Sequence, residues 1–217
     1  MKIVIQCSAS KNRNADSFTV DGHKVQFVAH PERMSPSVGC FRPDDLMPSS
    51  QTSWRMSLVE YNLKRQNPFN LLEAGHLYTP SIYQRLIKEF GGNNVYILSA
   101  GWGLVRSDFL LPNYNISFSA NAGIEQRRKK TDDFLDFALL TAIDLDPDET
   151  VYFFGGKDYL PVFLKLTHHL QNKRIIYHST TAIPRDNRVK YILYPKCFTN
   201  WHYCCALDFI NGKIKKE

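Results

Sequence analysis

The segment Ser99–Asn115 holds the densest set of residues that could do chemistry. Two glycines bracket Trp102, and an arginine and Asp108 follow before a Pro-Asn-Tyr-Asn stretch. Glycine permits tight turns and close approach of a ligand, and the rings of Trp102 and Tyr114 could stack on a nucleobase. Apolar residues follow Asp108, and they would desolvate its carboxylate and raise its basicity. The alternative is a surface aspartate that caps a turn, with Trp102 in the core.

A second loop, Cys7–Lys11, carries groups that suit a phosphate. The hydroxyls of Ser8 and Ser10 and the ammonium of Lys11 follow a short apolar run. Free backbone N–H groups in such a loop can bind an anion. An ordinary polar turn explains the same residues equally well.

Two more loops stand at the starts of predicted helices. Gly155–Tyr159 brings Lys157 to a strand-to-helix junction, where backbone N–H groups could hold a phosphate. The P-loop spacing is absent, so this loop does not predict an ATPase. His202 stands in the first turn after Trp201, where the helix dipole lowers its pKa and keeps the imidazole neutral. Such an imidazole could donate a hydrogen bond to a leaving base, or it could simply belong to an aromatic helix start packed on the sheet.

These loops are positioned by alternating strands and helices. Apolar runs predict strands, apolar residues at helical spacing predict helices, and an Asp-Gly pair within Ser17–Val28 predicts a hairpin. Strands are predicted at Lys2–Gln6, Val95–Ser99, Thr150–Phe154, Arg174–Tyr177 and Val189–Leu193, and helices at Thr52–Arg65, Phe69–Leu77, Pro80–Phe90, Thr131–Ile143, Asp158–Leu170 and Trp201–Ile210, the last with Asn200 as a candidate N-cap.

The alternation predicts a single α/β domain over residues 1–217, with a mainly parallel central sheet flanked by helices. The hairpin and the irregular loop His30–Ser53 form an insertion at about residues 17–53, and a loop of that length suggests a functional role. Ligand sites of parallel sheets lie at the carboxyl ends of the strands. That rule selects the four loops above.

Composition and charge narrow the partners. The apolar fraction of 43% is sufficient for a packed core, and the net charge of +6 favours a polyanion, nucleic acid first. A basic run that starts with Arg127 and Arg128 lies near Ser99–Asn115 and is a candidate phosphate contact. A second basic run at the C-terminus is interpreted as a solvated tail.

Several classes of protein are disfavoured. No apolar run approaches the roughly 20 residues of a membrane span, and the N-terminus lacks the features of a signal peptide, so a cytoplasmic protein without a membrane partner is expected. The five cysteines include no Cys-x-x-Cys pair and predict neither a disulfide framework nor a zinc site. No cofactor or metal is predicted, and the oligomeric state stays open.

Several short motifs, in this order, resemble those of the YaaA-like group. The motifs are Cys7–Lys11, Leu77–Ser81, Ile97–Leu104 with Asp108, Pro112–Asn115 and Gly155–Tyr159. The group is remotely similar to the uracil-DNA glycosylase superfamily, and some relatives resemble phage-defence glycosylases that remove hypermodified bases such as glucosylated hydroxymethylcytosine. The resemblance therefore implies a glycosylase-like fold and no cofactor. The superfamily's water-activating Gly-Gln-Asp-Pro-Tyr motif and its His-Pro-Ser motif are absent, so Asp108 becomes the candidate catalytic carboxylate.

The leading hypothesis is a DNA glycosylase that excises a modified base flipped out of double-stranded DNA and leaves an abasic site. Asp108 would stabilise positive charge on the sugar or activate water, and His202 would stabilise the departing base. The base would contact Trp102, Tyr114, Asn115 and Ser99, and the DNA phosphates would contact Ser8, Ser10, Lys11, Lys157, Arg127 and Arg128. The alternatives are a non-catalytic DNA-binding protein and an enzyme that cleaves or transfers the base of a free nucleotide.

Overall fold

The architecture is a mixed α/β fold with a mostly parallel central sheet. It was determined as a computed structural model that describes residues 1–35, 39–128, 143, 145–180, 183, 186–195 and 198–214. The described strands are β1 (Lys2–Gln6), β2 (Thr19–Val20), β3 (His23–Lys24), β4 (Gln26–Val28), β5 (Cys40–Phe41), β6 (Leu72–Glu73), β7 (Val95–Ser99), β8 (Gly103–Arg106), β9 (Leu110–Leu111), β10 (Tyr114–Asn115), β11 (Val151–Phe154), β12 (Arg174–His178) and β13 (Val189–Leu193). The helices are α1 (Trp54–Leu63), α2 (Ala74–Leu77), α3 (Ile82–Phe90), α4 (Leu160–Leu166) and α5 (Trp201–Ile210).

The central sheet has the order β13-β12-β11-β1-β7-β8. All neighbours pair in parallel except β7 and β8, which are antiparallel. Every residue of β7 and β11 is buried, as expected for strands covered on both faces. The parallel strands therefore end at one edge of the sheet, which we call the carboxyl edge.

The continuous apolar runs were predicted with accurate bounds. The strand Val189–Leu193 and the helix Trp201–Ile210 are confirmed residue for residue. The hairpin is also confirmed, because Asp21 and Gly22 connect β2 and β3 with φ angles of 50° and 77°, the left-handed region that such a turn requires. The predicted helix Thr131–Ile143 lies outside the described residues except for Ile143.

Two predicted helices are wrong in extent. In place of a helix from Phe69, a turn precedes β6, and α2 begins only at Ala74. Asn70 has a φ of 51°, and the side chain of Asn67 hydrogen-bonds both backbone groups of Leu71, which stabilises the turn. The helix predicted over Asp158–Leu170 is the shorter α4.

The chain after β7 departs from the expected single loop at the carboxyl edge. A tight turn at Gly101 and Trp102 returns the chain as β8, and Gly103 adopts a φ of 90° in that turn. Because β8 runs back along β7, its end lies at the opposite edge of the sheet, where Ser107 donates its N–H to the carbonyl of Val95. Asp108 follows at that edge.

Candidate functional site

A cleft of about 660 Å³ opens at the carboxyl edge of the sheet. It is lined by residues that directly follow β1, β11 and β12, and by the first turn of α5. We call it the carboxyl-edge cleft. Its volume is typical of small-molecule sites. Three of the four predicted loops meet here: Cys7–Lys11 through its first three residues, Gly155–Tyr159, and the approach to Trp201.

His202 is the most unusual polar group that lines the cleft. Its side chain is 4% exposed, and among the described residues neither ring nitrogen has a hydrogen-bond partner. Burial lowers the pKa of His202 from 6.5 to about 4, so the imidazole is neutral at physiological pH. The predicted neutral state is therefore supported, with desolvation as its cause. A neutral imidazole can donate one hydrogen bond and accept another, and both capacities are unused here.

The first turn of α5 differs from the sequence prediction in one detail. Asn200 occupies the N-cap position, but its side chain makes no capping hydrogen bond. The aromatic rings of Trp201 and Tyr203 flank His202, with centroid distances of 5.9 and 4.1 Å. Phe198, 45% exposed, also lines the cleft. The cleft therefore offers aromatic surface on which a planar ring could pack.

Gly155–Tyr159 contributes the charged groups of the cleft. Lys157 is exposed and Asp158 is partly buried, and both line the cleft. The loop is attached to β1 because Gly156 donates its N–H to the side-chain oxygen of Gln6 over 2.6 Å. Gly155 packs so tightly that a Cβ atom would lie 2.3 Å from the ring of Phe153. The loop pattern predicts a phosphate site, and Asp158 was not among the predicted site residues although it belongs to the motif.

Buried hydroxyl and thiol groups form the floor beneath the cleft. The thiol of Cys7 lies 3.3 Å from the hydroxyl of Tyr159 and accepts the N–H of Ala100 at 3.4 Å. The hydroxyl of Tyr83 donates to the carbonyl of Gln6 over 2.9 Å. Burial raises the pKa of Tyr159 well above 10, so its phenol stays protonated. These contacts fix the end of β1, from which the half-buried Ser8 lines the cleft.

Three of the four residues predicted to contact the base, Ser99, Trp102 and Tyr114, are buried and do not line the cleft. Trp102 is fully buried with its ring edge-on to Phe27 at 4.9 Å, so the prediction that it stacks on a base is wrong, and the alternative interpretation as core is correct. Ser99 is also fully buried, and its hydroxyl donates to Tyr114 over 2.9 Å. The hydroxyl of Tyr114 in turn contacts that of Tyr78 at 2.8 Å. Ser99 and Trp102 therefore have no surface for a ligand.

Two arginines and an aspartate hold the turn after β7. Arg55 donates to the carbonyls of Trp102 and Gly101 over 3.1 Å each, and Arg128 donates to the same Gly101 carbonyl over 3.1 Å. Asp44 pairs with both guanidinium groups. Partial burial would raise the pKa of Asp44, but the hydrogen bonds and charges of the two arginines outweigh it and lower that pKa.

This cluster, Asp44–Arg55–Arg128, corrects one prediction. Arg128 is 8% exposed and is used inside the protein, so it is not a surface contact for DNA. Arg127 is exposed and donates to the carbonyl of Ala120 over 3.2 Å. The Lys129 and Lys130 members of the basic run lie outside the described residues.

Asp108 is remote from the cleft. It follows β8 at the opposite edge of the sheet, where Arg106 donates two hydrogen bonds to its carboxylate over 2.6 and 2.7 Å. Its side chain is 45% exposed and lines a separate surface pocket of about 450 Å³. The expected desolvation by the following apolar residues is wrong, because Leu111 packs into the core while the carboxylate points to solvent. The structure brings Asp108 together with neither His202 nor Tyr114.

Three remaining predicted residues lie in the loop Cys7–Lys11 or near it. Ser10 is exposed, and its N–H donates to the hydroxyl of Ser8 over 3.1 Å within the turn. Lys11 lies on the far side of the loop, with its ammonium 4.0 Å from the centre of the Tyr114 ring. The exposed Asn115 lines the same pocket as Lys11. Lys11 and Asn115 thus share a second pocket beside the cleft.

No protein-family model matches the sequence, and a search of the curated proteins finds no match. Within the described ranges, no group of three or more His, Cys, Asp or Glu side chains is arranged to hold a metal ion. The same ranges contain no helix that is long and apolar enough to cross a membrane.

Proposed function

We propose that the protein hydrolyses the N-glycosidic bond of a modified base in DNA, with the flipped-out base in the carboxyl-edge cleft. The observation that carries the proposal is His202, a buried neutral imidazole that lines the cleft of about 660 Å³ and whose two ring nitrogens have no hydrogen-bond partner among the described residues. A buried polar group without partners is costly, and a ligand with a complementary polar edge would remove that cost.

The chemistry of the bond fits the groups around the cleft. When the bond breaks, its electron pair goes to the base and positive charge develops on the sugar. His202 would donate a hydrogen bond to the departing base. Asp158 takes the role predicted for Asp108, because among the described residues it is the only carboxylate that lines the cleft, and it would stabilise the sugar cation or activate water. Lys157 would contact a phosphate.

The architecture supports this proposal at a coarser level. A mostly parallel sheet with its cleft at the carboxyl edge is compatible with the remote resemblance to the uracil-DNA glycosylase superfamily. The aromatic residues Phe198 and Tyr203, exposed and half-buried respectively, offer surface for a base. A role in defence against phages that carry hypermodified bases remains part of the same proposal.

The second candidate function is hydrolysis or transfer of the base of a free nucleotide. One observation favours this smaller substrate. Binding to duplex DNA needs a basic surface, and Arg128 of the predicted basic run is buried in the cluster with Asp44. A free nucleotide would need the cleft alone.

The test is incubation of the purified protein with phage DNAs that carry different modified bases, followed by alkali and a search for strand breaks at abasic sites. We expect breaks on at least one modified DNA, and their loss in Asp158→Asn but not in Asp108→Asn. Cleavage of free nucleotides without cleavage of DNA would establish the second candidate. Tight DNA binding with no base released from any substrate would contradict both enzymatic functions.

A further inference from the structure

Beside the carboxyl-edge cleft lies a second pocket of about 440 Å³, which we call the Lys11 pocket. It is lined by Lys11, Lys24, Asn113, Tyr114 and Asn115 among others. Among the described residues that line it, none is acidic. The pocket therefore presents cationic and neutral polar groups, a combination that favours an anion.

Lys11 is the unusual group of this pocket. Its ammonium lies 4.0 Å above the ring of Tyr114, and no carboxylate of the described residues forms an ion pair with it. Burial lowers the pKa of Lys11, an effect that the thiol of Cys7 partly opposes. Lys24 differs, since it is 67% exposed and pairs with Asp16 over 2.9 Å. A half-buried cation that has no ion-pair partner among the described residues is costly, and a bound anion would offset that cost.

The two pockets are adjacent. Ala9 lines both of them, so only the turn from Ser8 to Ser10 separates the Lys11 pocket from the cleft. The chain after β10 connects them as well, because Asn115 lines the Lys11 pocket and Ser117 lines the cleft. A single extended ligand could cross this turn and occupy both.

We infer that the Lys11 pocket is a phosphate subsite for a polynucleotide strand whose neighbouring nucleotide occupies the cleft. This inference rests on the proposed function for the identity of the ligand in the cleft. The Lys11 ammonium supplies the charge, and the side-chain amides of Asn113 and Asn115 supply neutral hydrogen-bond donors. The subsite makes a strand of DNA a better ligand than a free nucleotide, although Arg128 is not available on the surface.

The experiment measures binding of a fluorescein-labelled short oligothymidylate by fluorescence anisotropy, with thymidine 5′-monophosphate as a competitor. Lys11→Met removes the charge and keeps an apolar side chain of similar length, and it should lower affinity for the oligonucleotide about tenfold, as for loss of a hydrogen bond to a charged group. The dependence of affinity on salt should weaken by about one phosphate contact. Lys64→Met is the matched control and should change affinity about twofold or less, because its charge is exposed, is already paired with Glu60 and lies outside both pockets.

A purely structural role for Lys11 predicts a different pattern, in which Lys11→Met shifts the melting temperature and leaves oligonucleotide affinity unchanged. That result, or failure of the wild type to bind the oligonucleotide, would overturn the subsite. An equal loss of affinity for the mononucleotide would overturn the assignment to a strand. The proposed function fails separately: if no modified DNA loses a base while Lys11→Met still weakens oligonucleotide binding, the subsite stands without the glycosylase.

Discussion

The two edges of the central sheet carry titratable groups in opposite situations. At the carboxyl edge, His202 is buried with both ring nitrogens unpartnered among the described residues. At the other edge, Asp108 is half exposed and its carboxylate is occupied by two hydrogen bonds from Arg106. A functional group needs hydrogen-bonding capacity that the fold has not already used. By that criterion the first edge is prepared for a ligand and the second is an ordinary surface ion pair.

The comparison is tested most strongly by removing His202. We expect His202→Leu to lower the rate of base release about 100-fold or more, the usual effect of removing one donor that stabilises developing charge, with a smaller change in KM. The measurement is single-turnover release of the base from whichever modified DNA the wild type cleaves. His202→Gln, which can still donate a hydrogen bond, should recover part of the loss. Full activity in His202→Leu would place the chemistry elsewhere.

The second test concerns the dependence of stability on pH. The pKa of His202 is lowered to about 4 in the folded protein and is near 6.5 when the chain is unfolded, so the unfolded chain binds the proton first as the pH falls. The stability that depends on a neutral His202 is fully present above pH 6.5 and is lost progressively towards pH 4. The loss lowers the free energy of unfolding by about 3 kcal/mol.

Denaturant unfolding at a series of pH values measures this effect. Carboxylates such as Asp186 also lose stabilising interactions in acid, so the relevant quantity is the difference between the wild type and His202→Gln. We expect the free energy of unfolding of the wild type to fall relative to that of His202→Gln as the pH falls from 6.5 to 4. Parallel curves would show that His202 is hydrated in the folded protein and would weaken the contrast between the edges.

The third test concerns the buried ion pairs of Asp44, which contrast with the exposed pair of Asp108 and Arg106. Asp44 forms ion pairs with both Arg55 and Arg128, whose side chains are 1% and 8% exposed. Asp44→Asn would remove the carboxylate that the two buried guanidinium groups share and should lower the free energy of unfolding by about 2–3 kcal/mol, below the usual range for a buried pair because Asp44 itself is 35% exposed. A loss below about 1 kcal/mol, the size expected for a surface pair, would contradict the description of this cluster as buried.

The smallest effect is expected for Asp108→Asn. The pair with Arg106 is about half exposed, so its loss should change the free energy of unfolding by about 1 kcal/mol or less. Base release should be unchanged, as measured in the same single-turnover assay as for His202→Leu. Abolished activity in Asp108→Asn together with full activity in His202→Leu would reverse the comparison and restore the prediction made from sequence.

The sequence predicted the elements whose pattern is local. The apolar strands Val95–Ser99 and Val189–Leu193 and the helix α5 needed only their own residues to be recognised. The antiparallel return as β8 was missed, because a three-residue turn followed by Gly103 resembles a glycine-rich loop when no partner strand is known. That omission placed Asp108 at the wrong edge.

The candidate site was predicted in part for the same physical reason. The rule for parallel sheets selected four loops, and three of them line the cleft. His202 was selected from its place at a helix start. The burial of Arg55 and Arg128 could not be predicted, since it depends on Asp44 and on backbone carbonyls that are distant in sequence. Asp158 belongs to the motif Gly155–Tyr159. It was not predicted as a site residue, because the glycines and the lysine before it indicate phosphate binding.

The central place of β1 has a consequence for how the chain folds. Ile3 aligns with Val95 of β7, and Lys2 aligns with Val151 of β11, so the middle of the sheet joins the first residues of the chain to segments far along it. Pairings of such sequence separation form slowly, because loop closure precedes the gain from contact. During synthesis the first strand must wait for both of its neighbours to be translated. Deletion of those few residues would therefore remove the middle of the sheet rather than trim its edge.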